Sequence, residues 1–298
     1  MIGYLYLAIA LFAGLAKGFC GKQTSRDMQT FRDCLFINFM RMLFGALVGF
    51  LLVLPSGGIG ALAFGGFELF IYALGGISIT VFSVLWMYAY KEDAYVFLNI
   101  FTMLGSIVTC LLGLIVYGDK VKWNQWLGMA LLLLAVVIMS KYNKQLKGRL
   151  SLKSILILVF GCLGSAVADF SQKVYMREVG KSVAAYNFYI YLFAFLSLAI
   201  FVGIFLAKEK GFKVTPVISS KKSILVYFAM AFFLFLNTSS KTLAAGELTT
   251  AQIYPVLQGA NLICSALMAH ILFKEKTNVK SISGMAIAFA GLLIMNLL

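Results

Sequence analysis

Charged residues are scarce in this sequence, and their scarcity argues against a soluble domain. Only 12% of the 298 residues are Asp, Glu, Lys or Arg, whereas 62% are hydrophobic and the mean hydropathy is +0.95. A soluble domain of this length could not cover so much apolar surface with so few charges. Proline is also rare, with three residues, so long helices can run uninterrupted. We therefore expect an integral membrane protein.

Cysteine and histidine are too few and too scattered to indicate a metal site or a disulfide framework. The five cysteines stand singly, without a CxxC pair, and His270 is the only histidine. The segment around Gly21-Lys22-Gln23 lacks the glycine spacing and the hydroxyl residue of a phosphate-binding loop. We predict no metal, no cofactor and no ATP-driven pump within this chain.

Apolar segments long enough to cross a bilayer occupy nearly the whole chain. A spanning helix needs roughly 20 mostly apolar residues. Pro255 falls inside one predicted span, whereas Pro55 follows the end of another. The ten predicted spans are 2–20, 34–54, 68–89, 94–117, 123–140, 154–174, 183–207, 223–243, 249–273 and 279–298.

The positive charge of the chain is concentrated in short loops between these spans. The formal net charge is +14, and seventeen of the 25 Lys and Arg residues lie in the loops after spans 1, 3, 5, 7 and 9 or, for Lys280, at the start of span 10. This distribution is typical of a membrane protein and not of a nucleic-acid-binding groove. The positive-inside rule places these loops in the cytoplasm and both termini on the opposite side.

An internal repeat divides the sequence into two halves. Phe19, Lys22 and Arg26 recur as Phe170, Lys173 and Arg177 at one constant offset. Because the first half holds five spans, an odd number, the second copy must have the opposite orientation in the membrane. We predict an all-α membrane protein of about ten transmembrane helices, built as two inverted five-helix repeats at residues 1–147 and 148–298.

The end of the second half resembles the drug/metabolite transporter superfamily, specifically its ten-helix EamA-type members. The resemblance rests on Thr249-Thr250-Ala251, Tyr254-Pro255, Phe273-Lys274-Glu275-Lys276, Gly284 and Gly291. It implies a multi-pass carrier that works by alternating access, and relatives of this type export amino acids, sugars or other metabolites. It also implies cytoplasmic termini, which the loop charges contradict, so the sidedness stays open.

Three charged residues within the predicted spans are candidates for the substrate site. Lys17 lies in span 1, Arg41 in span 2 and Asp169 in span 6. Charges at such positions are costly and usually functional. We expect a Lys17–Asp169 pair across the repeat interface, although Lys17 can instead extend to the nearer membrane surface. Arg41 can hold an anionic group, pair with a carboxylate or serve packing alone.

Neutral polar residues form a second set of candidates. Asn38 and Asn187 occupy matching places in the two repeats, which predicts that both face a shared central cavity. Gln258 and Asn261 are three residues apart on one helix face, near Tyr254 in span 9. These side chains can bind a substrate or only bond neighbouring helices, at roughly 0.6 kcal/mol each.

These features favour a secondary transporter, in the plasma membrane, that exports a small polar metabolite. The basic candidates Lys17 and Arg41 suggest an amino acid or a related anion or zwitterion. The alternatives are a multidrug exporter of lipophilic compounds and an intramembrane lipid-linked transferase, although the first span contains no acidic residue to bind a cationic drug. The expected partners are the small-molecule substrate and the lipid bilayer, without nucleic acid. Whether the protein forms a homodimer stays an open question.

Overall fold

The computed structural model describes residues 2–91, 95–140, 152–208, 212–273 and 279–297. Within them the chain forms ten α-helices, which match the ten predicted spans to within a few residues. The basic loop around residues 141–149 and residues 274–276 of the EamA-type motif lie outside the described residues. The helices are α1 (Ile2–Ser25), α2 (Phe31–Gly57), α3 (Gly66–Lys91), α4 (Tyr95–Tyr117), α5 (Trp123–Ser140), α6 (Leu152–Val174), α7 (Val183–Lys208), α8 (Lys221–Glu247), α9 (Thr250–Phe273) and α10 (Val279–Leu297).

The apolar character of these helices suits a lipid environment. In the described part of the chain, α1, α2, α3, α7, α8 and α9 contain stretches that are long and apolar enough to cross a membrane. Shorter apolar stretches occur in α4, α5 and α10 at Thr102–Tyr117, Trp123–Ile138 and Ile282–Met295. Large hydrophobic side chains such as Phe12 and Ile200 are exposed on the helix surfaces, as lipid contact requires.

The second helix is longer than the sequence predicts. The predicted span ends at residue 54, before Pro55, but α2 continues to Gly57 with the proline in its last turn. A proline cannot donate to the carbonyl four residues before it, so the helix loses one backbone hydrogen bond at Pro55 and ends two residues later. Gly58 has a φ of 65° and donates its N–H to the carbonyl of Leu54, which terminates the helix.

Each of the main contacts between two helices has a counterpart in which every helix is replaced by the equivalent helix of the other half. Helix α1 packs on α8 as α6 packs on α3, and α1 packs on α9 as α6 packs on α4. The pairs α2–α7, α5–α10 and α4–α9 join equivalent helices of the two halves. This pattern is that of two five-helix repeats related by a pseudo-two-fold axis.

The directions of α1 and α6 show that the repeats are inverted. Helix α1 begins with Gly3 against Leu248, just after the end of α8, and approaches its own end with Gly21 against Met230. Helix α6 ends where α1 begins, because Lys173 donates to the carbonyl oxygens of Ala245 (2.9 Å) and Leu248 (2.7 Å). The two faces of the bundle are called below the Lys22 end, where α1 ends, and the Lys173 end, where α6 ends.

Glycines bring α5 and α10 close together. A methyl group at Gly128 would lie 2.1 Å from Cγ of Met295 and 2.7 Å from the carbonyl oxygen of Gly291. Such small residues let helix backbones approach within a membrane, where packing rather than hydrophobic exclusion drives association. This contact joins the last helices of the two repeats.

Candidate functional site

A cavity of about 490 Å³ with several charged side chains in its lining lies between the repeats, lined by α1, α2, α3, α4, α5, α6, α8 and α9. It extends from the middle of the bundle to the Lys22 end, where Lys22 and Arg26 line it. Toward the Lys173 end, where α1 begins, the lining on α1 starts only at Gly14. The cavity is therefore placed as the central site of an inverted-repeat carrier would be, with access from one end.

Five of the eight predicted site residues line this cavity. They come from both repeats, which explains why no local motif contains them. They are Lys17, Arg41, Asp169, Gln258 and Asn261.

The cavity's only carboxylate among the described residues, Asp169, is paired with a different lysine from the one predicted. Its Oδ1 atom accepts a hydrogen bond from Nζ of Lys241 on α8, and the two side chains form an ion pair. Helix α8 packs against both α1 and α6, which brings Lys241 to Asp169. Lys17 lines the same cavity but has its ammonium 5.5 Å from the ring centroid of Trp86, a cation–π arrangement. The expected Lys17–Asp169 ion pair is thus replaced by Lys241–Asp169.

Arg41 is held deep in the bundle with part of its hydrogen-bonding capacity unused. The residue is 2% exposed, and its Nη1 donates to Oδ1 of Asn38 at 3.0 Å. Its Nε is buried without a hydrogen-bond partner, and no carboxylate of the described residues forms an ion pair with it. Gln172, which also lines the cavity, likewise has a buried Oε1 without a partner. Buried polar atoms are normally satisfied, so these two point to a ligand or to water.

The other three predicted residues are not part of the cavity lining. Asn38 is fully buried and supports Arg41, while its own amide donates to the carbonyl of Cys34. Asn187 donates to Oγ of Ser239 at 2.9 Å and so ties α7 to α8. The expectation that both asparagines face a shared cavity is therefore not met, because Asn38 bonds residues of its own helix and Asn187 bonds Ser239 of α8.

Tyr254 joins α9 to α6 behind the cavity. Its hydroxyl donates to the backbone carbonyl of Asp169 at 2.6 Å. This bond positions the residue that carries the cavity's carboxylate. The contribution of Tyr254 is thus through Asp169 and not through the lining itself.

Sequence reasoning missed Lys241, Trp86 and Gln172. The predicted span 223–243 puts Lys241 two residues before its end, where a lysine can extend to the membrane surface, whereas α8 continues to Glu247. The extra turn places this lysine well inside the helix, where a charge is a candidate by the same rule that selected Lys17. No sequence signal distinguishes Trp86 from the many other aromatic residues.

Positive charge exceeds negative charge in the cavity. Among its described lining residues, three cations (Lys17, Arg41 and Lys241) face one carboxylate, and Lys22 and Arg26 add two cations at the mouth. Buried charges without compensation are unfavourable, so an anionic group that enters this cavity gains favourable interactions. The amides of Gln258 and Asn261 can add hydrogen bonds. The site is chemically suited to a small anion or to the anionic part of a zwitterion.

The Lys173 end of the bundle is closed by polar contacts between segments. Arg177, in a π-helical turn at Tyr175–Val179, donates to Oδ1 of Asp119 at 3.2 Å. The other oxygen of Asp119 accepts from the backbone N–H of Thr250 (3.2 Å) and from its hydroxyl (3.0 Å), at the start of α9. These bonds connect the ends of α4 and α6 with the beginning of α9.

Two inverted repeats around a buried, charged cavity that opens at one end define a polytopic membrane transporter. The chain belongs to the EamA-like transporter family, whose sequence model matches residues 1–141 and 152–297. The resemblance to the drug/metabolite transporter superfamily, and the fold expected from it, are thereby confirmed.

Comparison with solved structures supports the same fold. One protein of known crystal structure superposes with a TM-score of 0.78, over 99% of this chain and 96% of its own, at 11% sequence identity. No curated protein sequence matches this chain significantly. At such low identity the structural likeness shows the architecture alone, so the substrate must be argued from the cavity.

Proposed function

We propose that this protein is a secondary transporter of the plasma membrane that exports a small polar metabolite with an anionic group, such as an amino acid or a related anion or zwitterion. The observation that carries the proposal is the charge of the cavity, where Lys17, Arg41 and Lys241 face the single carboxylate of Asp169. A substrate carboxylate would accept a hydrogen bond from the unpartnered Nε of Arg41, and the ammonium group of a zwitterion would share Asp169 with Lys241. Transport would proceed by rocking one repeat against the other around this site.

The same charges disfavour the alternative of a lipophilic cation as substrate. A cation in this cavity would meet three positive side chains and would have to displace Lys241 from Asp169. Like charges at close range in a medium of low dielectric constant repel strongly. A neutral lipophilic compound would leave Arg41 unsatisfied.

The direction of transport is supported by the position of the cavity mouth. The mouth is at the Lys22 end, where the loops after spans 1, 3, 5, 7 and 9, together with Lys280 at the start of span 10, carry seventeen of the 25 Lys and Arg residues. The positive-inside rule assigns such loops to the cytoplasm. The state described here would then load its substrate from the cytoplasm, as an exporter must.

The experiment that tests this function compares small molecules in the medium of cells that overexpress the protein or its variants. Cells with the intact protein should accumulate at least one carboxylate-bearing or other anionic metabolite outside. A Lys17→Ala, Arg41→Ala double variant should release it at least about tenfold more slowly, because a hydrogen bond to a charged group contributes roughly 1.5–3 kcal/mol. Purified protein in liposomes should then transport the same compound.

The matched control removes the same number of positive charges outside the cavity. Lys221 and Lys222 are exposed at the start of α8, so a Lys221→Ala, Lys222→Ala variant should keep full export at equal membrane levels. Equal export by the cavity variant and the control would contradict the assigned site. A released compound that is cationic would contradict the substrate class.

A further inference from the structure

Gln172 is a buried amide of the cavity lining whose acceptor atom is unused. It follows Asp169 by three residues on α6, so the two side chains lie on the same face of the helix, and both line the cavity. Gln172 is 1% exposed, and its Oε1 atom is buried without a hydrogen-bond partner. A buried carbonyl oxygen without a partner is costly, so a donor that reaches it binds favourably.

The internal repeat shows that the five-helix unit forms without these two polar side chains. At the constant offset between the halves, Asp169 corresponds to Gly18 of α1 and Gln172 corresponds to Gly21. A methyl group at Gly18 would meet no atom within 4 Å, and one at Gly21 would lie 3.1 Å from the ring of Trp86. The acid and the amide are therefore particular to the second repeat. This asymmetry points to a role at the cavity and not to a packing role that both repeats share.

The unpartnered atoms of Arg41 and Gln172 are of opposite kinds. The guanidinium Nε of Arg41 can only donate a hydrogen bond, whereas Oε1 of Gln172 can only accept one. A plain anion offers acceptors alone, so it leaves Gln172 unsatisfied. An ammonium group has three N–H donors, and it can bond Gln172 and the carboxylate of Asp169 at the same time.

We propose that Gln172, together with Asp169, forms a subsite for the ammonium group of the substrate. The subsite makes the carrier select zwitterions over anions of the same shape that lack an amino group. This inference rests on the proposed function and narrows it, because the charge of the cavity asks only for an anionic group whereas this subsite asks for an amine. Gln172 supplies an acceptor without adding a second negative charge beside Asp169.

The test measures ligand binding and stability of the same variants. Purified protein in detergent is melted alone and with each standard amino acid in turn. The amino acids that raise the melting temperature are then compared with the 2-hydroxy acid and the unsubstituted acid of the same side chain. A ligand that binds only the folded protein raises the melting temperature according to its Kd. At least one amino acid should stabilise the intact protein, and its two deaminated counterparts should bind about tenfold or more weakly.

Two substitutions separate binding from folding. Gln172→Met removes the acceptor and keeps an unbranched side chain, so the Kd for the amino acid should rise about tenfold or more, with little change for the deaminated acids. The unliganded variant should melt at the temperature of the parent or above it, because a buried carbonyl oxygen without a partner has been removed. Gln172→Glu keeps an acceptor and should bind the amino acid at least as tightly as the parent.

The matched control is a buried glutamine whose acceptor is used within the protein. Gln125 is 6% exposed, and its Oε1 accepts from the backbone N–H of Lys122 at 3.0 Å. Gln125→Met should therefore lower the melting temperature and leave every Kd unchanged.

Three results would overturn the inference: no amino acid stabilises the intact protein, a deaminated acid binds as tightly as its amino acid, or Gln172→Met loses stability as Gln125→Met does and keeps its selectivity. Each of these results leaves the proposed function standing if the metabolite test finds an exported anion without an amino group. Export of a cation would instead contradict the proposed function itself.

Discussion

The ion pair between Asp169 and Lys241 leads to an asymmetric prediction for the stability of the bundle. Replacing Asp169 with Ala leaves three cations in the cavity lining (Lys17, Arg41 and Lys241) without a carboxylate among the described residues. Replacing Lys241 with Gln leaves Asp169 facing two cations, which still compensate its charge. We therefore expect Asp169→Ala to destabilise the protein more than Lys241→Gln.

The magnitude follows from burial and from access to water. Removing one partner of a buried ion pair typically costs about 3–5 kcal/mol. The side chains of Lys241 and Asp169 are only 15% and 7% exposed, but they border a cavity that opens at the Lys22 end, and water there screens their charges. We expect Asp169→Ala to cost about 2–3 kcal/mol, at or just below the lower limit of that range, because of this screening. Lys241→Gln should cost less than about 1 kcal/mol.

The assay is thermal unfolding of purified protein in detergent at neutral pH, with single and double variants compared. An Asp169→Ala, Lys241→Gln double variant has the same cavity charge as the parent and should recover most of the loss. Two results would refute the reasoning: equal melting temperatures for both single variants, or a double variant no more stable than Asp169→Ala. Either would mean that charge balance does not govern this cavity.

Three further substitutions test the contacts around the site. Asn38→Ala removes the acceptor that orients Arg41 and should raise the KM for transport by about tenfold with little change in maximal rate. Substrate flux into liposomes measures both constants, and an unchanged KM would exclude a positioning role for Asn38. Gly128→Ala should destabilise the α5–α10 contact by about 1–3 kcal/mol in a melting experiment. The control Gly203→Ala, whose added methyl group meets no atom within 4 Å, should leave the stability unchanged. Equal effects of the two substitutions would show that the close contact does not contribute. Tyr254→Phe loses the bond to the backbone of Asp169 and should lower stability by about 1 kcal/mol; a variant as stable as the parent would indicate that the bond contributes nothing.

The location of the helices could be predicted from the sequence because the bilayer imposes a simple rule. Every backbone polar group in lipid must be bonded internally, so an apolar run of about 20 residues becomes a helix. The ten described helices lie at the ten predicted spans, and the errors lie at their ends, as at Pro55 in α2 and Lys241 in α8. Polar residues near a span's end give no local signal of whether the helix continues.

The composition of the site could be predicted only in part. Lys17, Arg41 and Asp169 were found because charges inside apolar spans are conspicuous, and the structure brings all three to one cavity. Asn38 and Asn187 were chosen by repeat symmetry, but their amides are used within the helix packing. Symmetry of sequence predicts equivalent positions, and it does not predict which side of a helix faces the cavity.

The sequence by itself determined the membrane class, the ten spans and the inverted repeat, because hydrophobicity, span number and loop charge are properties of local segments and their order. Only the tertiary structure decided that Asp169 pairs with Lys241 and not with Lys17, and that one end is sealed while the other is open. Partners on different helices depend on how the helices rotate and pack. Ion-pair partners and the closed end depend on contacts between residues that are distant in the sequence, such as Asp119 and Thr250, and no local sequence pattern predicts such contacts.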